Sequence, residues 1–140
     1  MNRILVSALL ALTAACGVLP TGGGDARLVE LDSEFTLDEG DKAVVRGPGI
    51  AVQFIGVSED TRCPIEANCV DAGHATLQLR VSQEGRESKI LTVRTDGAPP
   101  RDVYSYHAFE LVRLEPARSV SEPDPDYRVR LVAYPVFTID

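Results

Sequence analysis

Between Thr76 and Ser82 apolar and polar residues alternate without a break. Leu77, Leu79 and Val81 fall on one face, and Thr76, Gln78, Arg80 and Ser82 on the other. A period of two is what a strand shows when one face meets a core and the other meets water. HATLQLRVS, residues 74–82, is therefore predicted as a strand, and the same pattern recurs on both sides of it. RLVEL (27–31) and EFTL (34–37) come first, the latter putting Phe35 and Leu37 on one face. The turn DEGD leads into KAVV (42–45), and RGPG breaks the chain before IAVQFIGVSE (50–59). That run is apolar at most positions and predicts a central strand.

After the alternating strand, QEGRE reads as a hairpin turn into SKILTVRT (88–95), which ends at the Pro/Gly cluster DGAPPRD. YSYHAFELVRLEP (104–116) is strand-like, but its period slips between Leu111 and Val112, as one extra residue in a bulge would make it do. SVSEPDPD has too many prolines for a strand interior and is predicted as a loop. YRVRLVAYPVF (127–137) places Val129, Leu131 and Ala133 on one face against Arg128 and Arg130. No segment carries a helical period. Seven to eight short strands separated by Pro/Gly turns predict an all-β fold, an antiparallel β-sandwich, with a small β-barrel as the alternative closure.

The first residues depart from this pattern. MNRILVSALLALTAAC has one cation, Arg3, then an apolar stretch from Ile4 to Ala15 ending in small residues. It is too short for a mature membrane span, so a cleaved signal peptide over 1–15 is expected. The ending LTAAC resembles the lipobox of bacterial lipoproteins, with Thr13 where Leu is commonest. The resemblance implies cleavage before Cys16, a diacylglyceryl thioether on that cysteine and, in many bacteria, an added N-acyl chain. An ordinary secretory signal with an incidental cysteine is the plainer alternative. Gly17 rather than Asp follows the cysteine, which by the family's rules implies the outer membrane where the cell has one. GVLPTGGGDA after Cys16 has no apolar period and reads as a flexible tether, so 16–26 is expected to be lipidated Cys and linker, and 27–140 a single domain.

Charge narrows the partners. The 140 residues hold 21 acids against 14 Lys and Arg, a net charge of −7, with no basic run. That excludes a phosphate-binding face for nucleic acid and a polybasic membrane patch, leaving the lipid on Cys16 as the expected membrane contact.

Two of the three cysteines lie in DTRCPIEANCVDAGH. With Cys16 assigned to lipid, Cys63 and Cys69 form an even pair in an oxidising compartment, where disulfides persist. The C-x5-C spacing is wider than a thioredoxin-type C-x-x-C and lacks the second pair expected of a zinc site. A structural disulfide is the favoured reading; a reactive pair and a metal site are the alternatives.

FIGVSEDTRCPIEANCVDAGHATLQL, with the later YSYHAFELVRLEPARS and DYRVRLVAY, resembles a group of small secreted bacterial lipoproteins whose hallmark is close to D-S-R-C-P, a short loop, then C-V-W-A-G-x-A. Asp60, Arg62, Cys63, Pro64, Cys69, Val70, Ala72, Gly73 and Ala75 match that hallmark. Thr61 replaces its Ser and Asp71 its Trp. The resemblance implies the fold and an envelope location, and brings no activity with it.

Candidate chemistry is sparse. Nucleophilic hydrolysis needs Ser or Cys beside a His base, yet His74 and His107 are the only histidines and no G-x-S-x-G elbow occurs. No spacing singles out a glycosidase-like pair among the acids. The sharpest alternative is a metal site: Glu59, Asp60, Asp71 and His74 flank the cysteines, with oxygen ligands suiting Ca²⁺ and His74 favouring Zn²⁺ or Cu²⁺. Against it, Asp60 is expected to cap the turn and Arg62 to pair with an acid on a neighbouring strand. Glu122, Asp124 and Asp126 are spread by their prolines along a solvated loop. Tyr104, Tyr106 and His107 fit equally a contact surface or an alternating core strand. The sequence thus predicts a lipid-anchored envelope module that binds a ligand or an envelope protein, or serves structurally, with no catalytic activity and no cofactor. The competing class is a metal-binding or metal-dependent enzyme centred on residues 59–74.

Overall fold

A computed structural model describes residues 26–97 and 102–137. The expected leader and the lipidation residue Cys16 lie outside those residues. Eight strands run in chain order: β1 Arg27–Val29, β2 Glu34–Asp38, β3 Lys42–Val45, β4 Ile50–Asp60, β5 Ala75–Gln83, β6 Arg86–Arg94, β7 His107–Glu115 and β8 Arg128–Pro135. They form a five-stranded sheet in the order β1-β3-β4-β5-β6 and a three-stranded sheet in the order β2-β8-β7. The sheets do not close on each other, so the fold is an all-β sandwich rather than a barrel.

Alternation places the core. Ala75, Leu77, Leu79 and Val81 of β5 are fully buried, and so are Ile50, Val52 and Phe54 of β4. They meet Phe35 and Leu37 of β2 and Val129, Leu131 and Ala133 of β8 in one cluster. Each large side chain removed from water there contributes about 1.5–3 kcal/mol. The outward residues of β8 pair across the small sheet instead, Arg128 with Asp38 and Arg130 with Glu34.

The predicted slip in β7 is a bulge: Leu111 pairs with Leu131 and Arg113 with Arg130, so Val112 is the extra residue. Leu114 is thereby returned to the core. The 83–86 hairpin is tighter than predicted, since Gln83 pairs with Arg86 around Glu84 and Gly85.

Two expectations need correction. β1 and β3 pair in parallel, although every other pairing is antiparallel. The chain crosses to the small sheet for β2 and returns for β3, so two strands separated by one reversal in the other sheet run the same way. Tyr104 to Tyr106 also do not extend β7. Ser105 and Tyr106 adopt positive φ, and Tyr104 and His107 bond each other across a turn.

Candidate functional site

The residues expected around the two cysteines, and Glu122, Asp124 and Asp126, lie at one end of the sandwich, where β4 leads into β5 through residues 61–74 and β7 into β8 through residues 116–127, whereas Tyr104, Tyr106 and His107 lie at the start of β7, toward the other end. Cys63 and Cys69 are joined in a disulfide with their Cα atoms 5.8 Å apart. Within the ring the Ala67 N–H donates to the Pro64 carbonyl at 3.0 Å, which turns the chain back. Below the ring the loop is zipped. The Thr61 N–H donates to the His74 carbonyl at 2.8 Å and the Cys63 N–H to the Ala72 carbonyl at 2.9 Å. Asp71 Oδ1 accepts the Gly73 N–H at 2.9 Å and holds the return leg in an Asx turn.

Arg62 fixes this loop to the body of the fold. Its Nε and Nη2 form a fork on Asp60, at 2.9 Å to Oδ1 and 2.7 Å to Oδ2. Nη1 and Nη2 also reach the carbonyls of Leu114 and Pro116 at 3.2 and 3.0 Å, where β7 ends. The Tyr127 hydroxyl donates to Asp60 Oδ2 at 3.1 Å. The two charged side chains are only 17% and 10% exposed, so the pair is largely shielded from solvent between the loop and the end of β7. Burial alone would raise the Asp60 carboxyl, but the hydrogen bonds and charge of Arg62 outweigh it and hold the group below its ordinary range. The Asp60 hydrogen bonds in turn push Arg62 up, and burial together with the Asp60 carboxylate pushes up the Tyr127 phenol.

The expected partner of Arg62, an acid on a neighbouring strand, is thus replaced by Asp60, two residues back on its own chain. The fork fits at this spacing because Asp60 ends β4 and Arg62 starts the loop beyond it. Asp60 caps the turn as expected, accepting the Arg62 N–H at 3.2 Å.

The second loop lies against the first. Arg118 Nη1 donates to the Arg62 carbonyl at 3.1 Å, and the Arg118 carbonyl accepts the Ile65 N–H at 3.0 Å. Glu66 receives the Ser119 hydroxyl and, at 3.2 Å, the Val120 N–H. The Ser119 hydrogen bond, with that N–H, draws the Glu66 carboxyl below its usual range.

The metal candidates do not converge. Asp60 is committed to Arg62 and Tyr127, Asp71 caps Gly73, and His74 Nε2 lies 3.8 Å from Glu59 Oε2. Among the described residues no three His, Cys, Asp or Glu side chains gather closely enough to hold an ion. His107 Nδ1 lies 2.6 Å from the Ser105 carbonyl oxygen, and among the described residues neither imidazole bonds a hydroxyl or thiol. The aromatic pair splits, because Tyr104 is buried with its hydroxyl on the Glu87 carbonyl while Tyr106 stands in solvent.

Sequence reasoning missed Arg118 and Tyr127, and also the exposure of three apolar side chains. Ile65 is 70% exposed, Val120 64%, and Val70, beside Cys69, is fully exposed. On either side of Tyr127 lie open clefts of about 650 and 370 Å³. Asp38, Glu39, Glu115, Glu122 and Asp126 line the larger with Arg128, and Glu59, Asp60 and Asp124 line the smaller with Arg118.

Comparison with protein-family models, with curated proteins and with solved structures finds no match in any of the three.

Opening the ring should cost about 2 kcal/mol, the loop entropy of so short a closure. Cys63→Ser with Cys69→Ser is expected to lower the urea midpoint while leaving the far-ultraviolet circular dichroism unchanged. A loss of the β signal at low temperature would show that the fold cannot form without the ring.

Proposed function

We propose that this protein is a lipid-anchored module of the bacterial cell envelope that binds another protein through its stapled-loop end and catalyses no reaction of its own. One observation carries the reading: Ile65, Val70 and Val120 project into solvent from backbone that the disulfide, Arg62 and Arg118 hold in place. Isolated exposed apolar residues are ordinary, but these sit on two loops clamped to each other, where ordering costs have been met before any partner arrives. The loops of a sandwich are common carriers of binding residues, positioned by a rigid frame. The envelope assignment draws on the lipobox-like LTAAC, the glycine-rich linker and the D-x-R-C-P hallmark. A ten-residue linker lets the domain reach up to about 35 Å from the lipid, close enough to meet membrane or periplasmic proteins.

The test combines two labels in the producing bacterium. An alkyne fatty acid should enter the full chain and fail to enter the Cys16→Ser variant. A photo-crosslinking amino acid at Ile65 or Val120 should yield one discrete protein adduct, whereas the same group at Thr92, on the outer face of β6, should not. Unlabelled chain would remove the anchor. Identical adducts from all three positions, or stoichiometric metal with free thiols in the purified chain, would overturn binding through this end.

A further inference from the structure

Resting on that reading, we infer that the stapled-loop end fits a cationic partner segment, one that offers aliphatic side chains to Ile65 and Val120 and Lys or Arg side chains to the loop beside them. The two apolar residues belong to different loops yet are held together. Ile65 donates its N–H to Arg118, and Val120 donates its own to the Glu66 side chain one residue beyond Ile65. The apolar tip is therefore a feature of the folded pair of loops and not of one mobile turn.

The segment beyond Val120 decides the partner's charge. Glu122, Asp124 and Asp126 alternate with Pro123 and Pro125, and Pro125 is buried while all three acids are exposed. A buried proline between exposed acids fixes the spacing and points the carboxylates outward. Among the described residues none of the three carboxylates has a salt bridge or hydrogen bond, whereas nearby Asp38 and Asp60 are held by Arg128 and Arg62. Elsewhere most cations are already engaged across or along strands: Arg46 with Glu30, Lys89 with Asp102, Arg113 with Glu115. Exposed acids without a salt bridge among the described residues occur elsewhere too, Glu84, Glu87 and Glu110 among them, but Glu122, Asp124 and Asp126 bring three such carboxylates within five residues, starting two positions from the exposed Val120. Opposite charge on a partner would be steered there and would pair with these groups, whereas an acidic partner would be repelled.

The experiment uses the mature chain purified in detergent from the producing cell. Random peptides displayed on phage are selected against it, and binding to the best one is followed by fluorescence anisotropy. The enriched peptides should combine aliphatic residues with Lys or Arg, and raising the salt should weaken them. Ile65→Ser with Val120→Ser should raise Kd about tenfold or more. Glu122→Gln, Asp124→Asn and Asp126→Asn together should raise it by a similar factor. Neutralising three exposed acids elsewhere, Glu84→Gln, Glu87→Gln and Glu110→Gln, should change it less than about twofold, which separates a local site from the effect of net charge. If the two triple variants weaken binding equally, the inference fails. If selected peptides compete for Ile65 and Val120 but carry no excess of cations, the charge preference fails and the binding reading stands. If no peptide is sensitive to Ile65 and Val120, both fall.

Discussion

Gly73→Ala is expected to open the stapled loop while the two sheets stay folded. Gly73 has φ near +63°, a region that costs any residue with a Cβ about 1–2 kcal/mol. The larger effect is steric. A Cβ built at this position would lie 1.8 Å from the Thr61 carbonyl oxygen and 2.6 Å from its carbon, which are main-chain atoms of the opposite leg. Those atoms cannot swing aside as a side chain would. Either leg must move, and the zipper between them is made of the bonds from Thr61 to His74 and from Cys63 to Ala72. Overpacking in a closed site costs roughly 1–3 kcal/mol, so with the backbone penalty the total comes to roughly 2–5 kcal/mol. The loss is capped by the free energy of opening this loop alone, because once the legs part the strain is gone. Hydrogen exchange provides the readout: the Thr61 and Cys63 amides should lose most of their protection, and the amides of Leu77 and Leu79 should keep theirs. Unchanged protection at Thr61 would mean that the legs tolerate the methyl group and that their close approach is not what shapes the loop.

Asp60→Asn should destabilise the protein by about 3 kcal/mol, a fall in Tm of roughly 10 °C for a domain of this size. The carboxylate receives the Arg62 fork and the Tyr127 hydroxyl in a site where both charged side chains are largely out of solvent. Replacing it with an amide leaves a partly buried guanidinium with no counter-charge, facing the Leu114 and Pro116 carbonyls and a single amide oxygen where it had a carboxylate fork. Arg62→Leu combined with Asp60→Asn should cost less than the sum of the two single changes, because the second substitution removes the orphaned charge that the first creates. The same pair makes stability depend on pH. Asp60 is held below its ordinary value in the folded state, so the unfolded chain takes up its proton first as pH falls. The stabilisation is complete above about pH 5 and is lost as pH falls through about 4 and on toward the folded value. Denaturant midpoints of the two proteins should therefore lie far apart at pH 7 and converge below pH 4. A separation that did not shrink with acid would show that Asn fails for reasons of shape and not of charge.

These two sites explain what the loop end is for mechanically. The glycine lets the legs touch, the disulfide closes the tip, and the arginine fastens the base to the end of β7. All three act on one small loop, with Gly73 against the Thr61 and Arg62 backbone and Cys63 bonded to Ala72, so their effects should couple and not simply add.

Spacing along the chain was sufficient for the strand faces, the bulge and the disulfide, though not for the pairing of Arg62 with Asp60 two residues back. The alternation in β5 and β8 named the buried faces, and the slip after Leu111 located the bulge at Val112, because a strand's side chains are placed by a period of two. The even pair Cys63 and Cys69 pointed to a disulfide for the same reason: six residues of chain can bring two Cα atoms to 5.8 Å with one turn. The remainder depended on which strands lie side by side. Arg62 finds carbonyls 52 and 54 positions away, and Tyr127 finds Asp60 at a separation of 67. No local pattern encodes those distances. The parallel pairing of β1 with β3, the burial of Tyr104 beside an exposed Tyr106, and the outward placing of Ile65, Val70 and Val120 belong with them. An apolar residue in a loop is inward or outward only once the opposing segment is in position, and here that segment is supplied by residues 116–127.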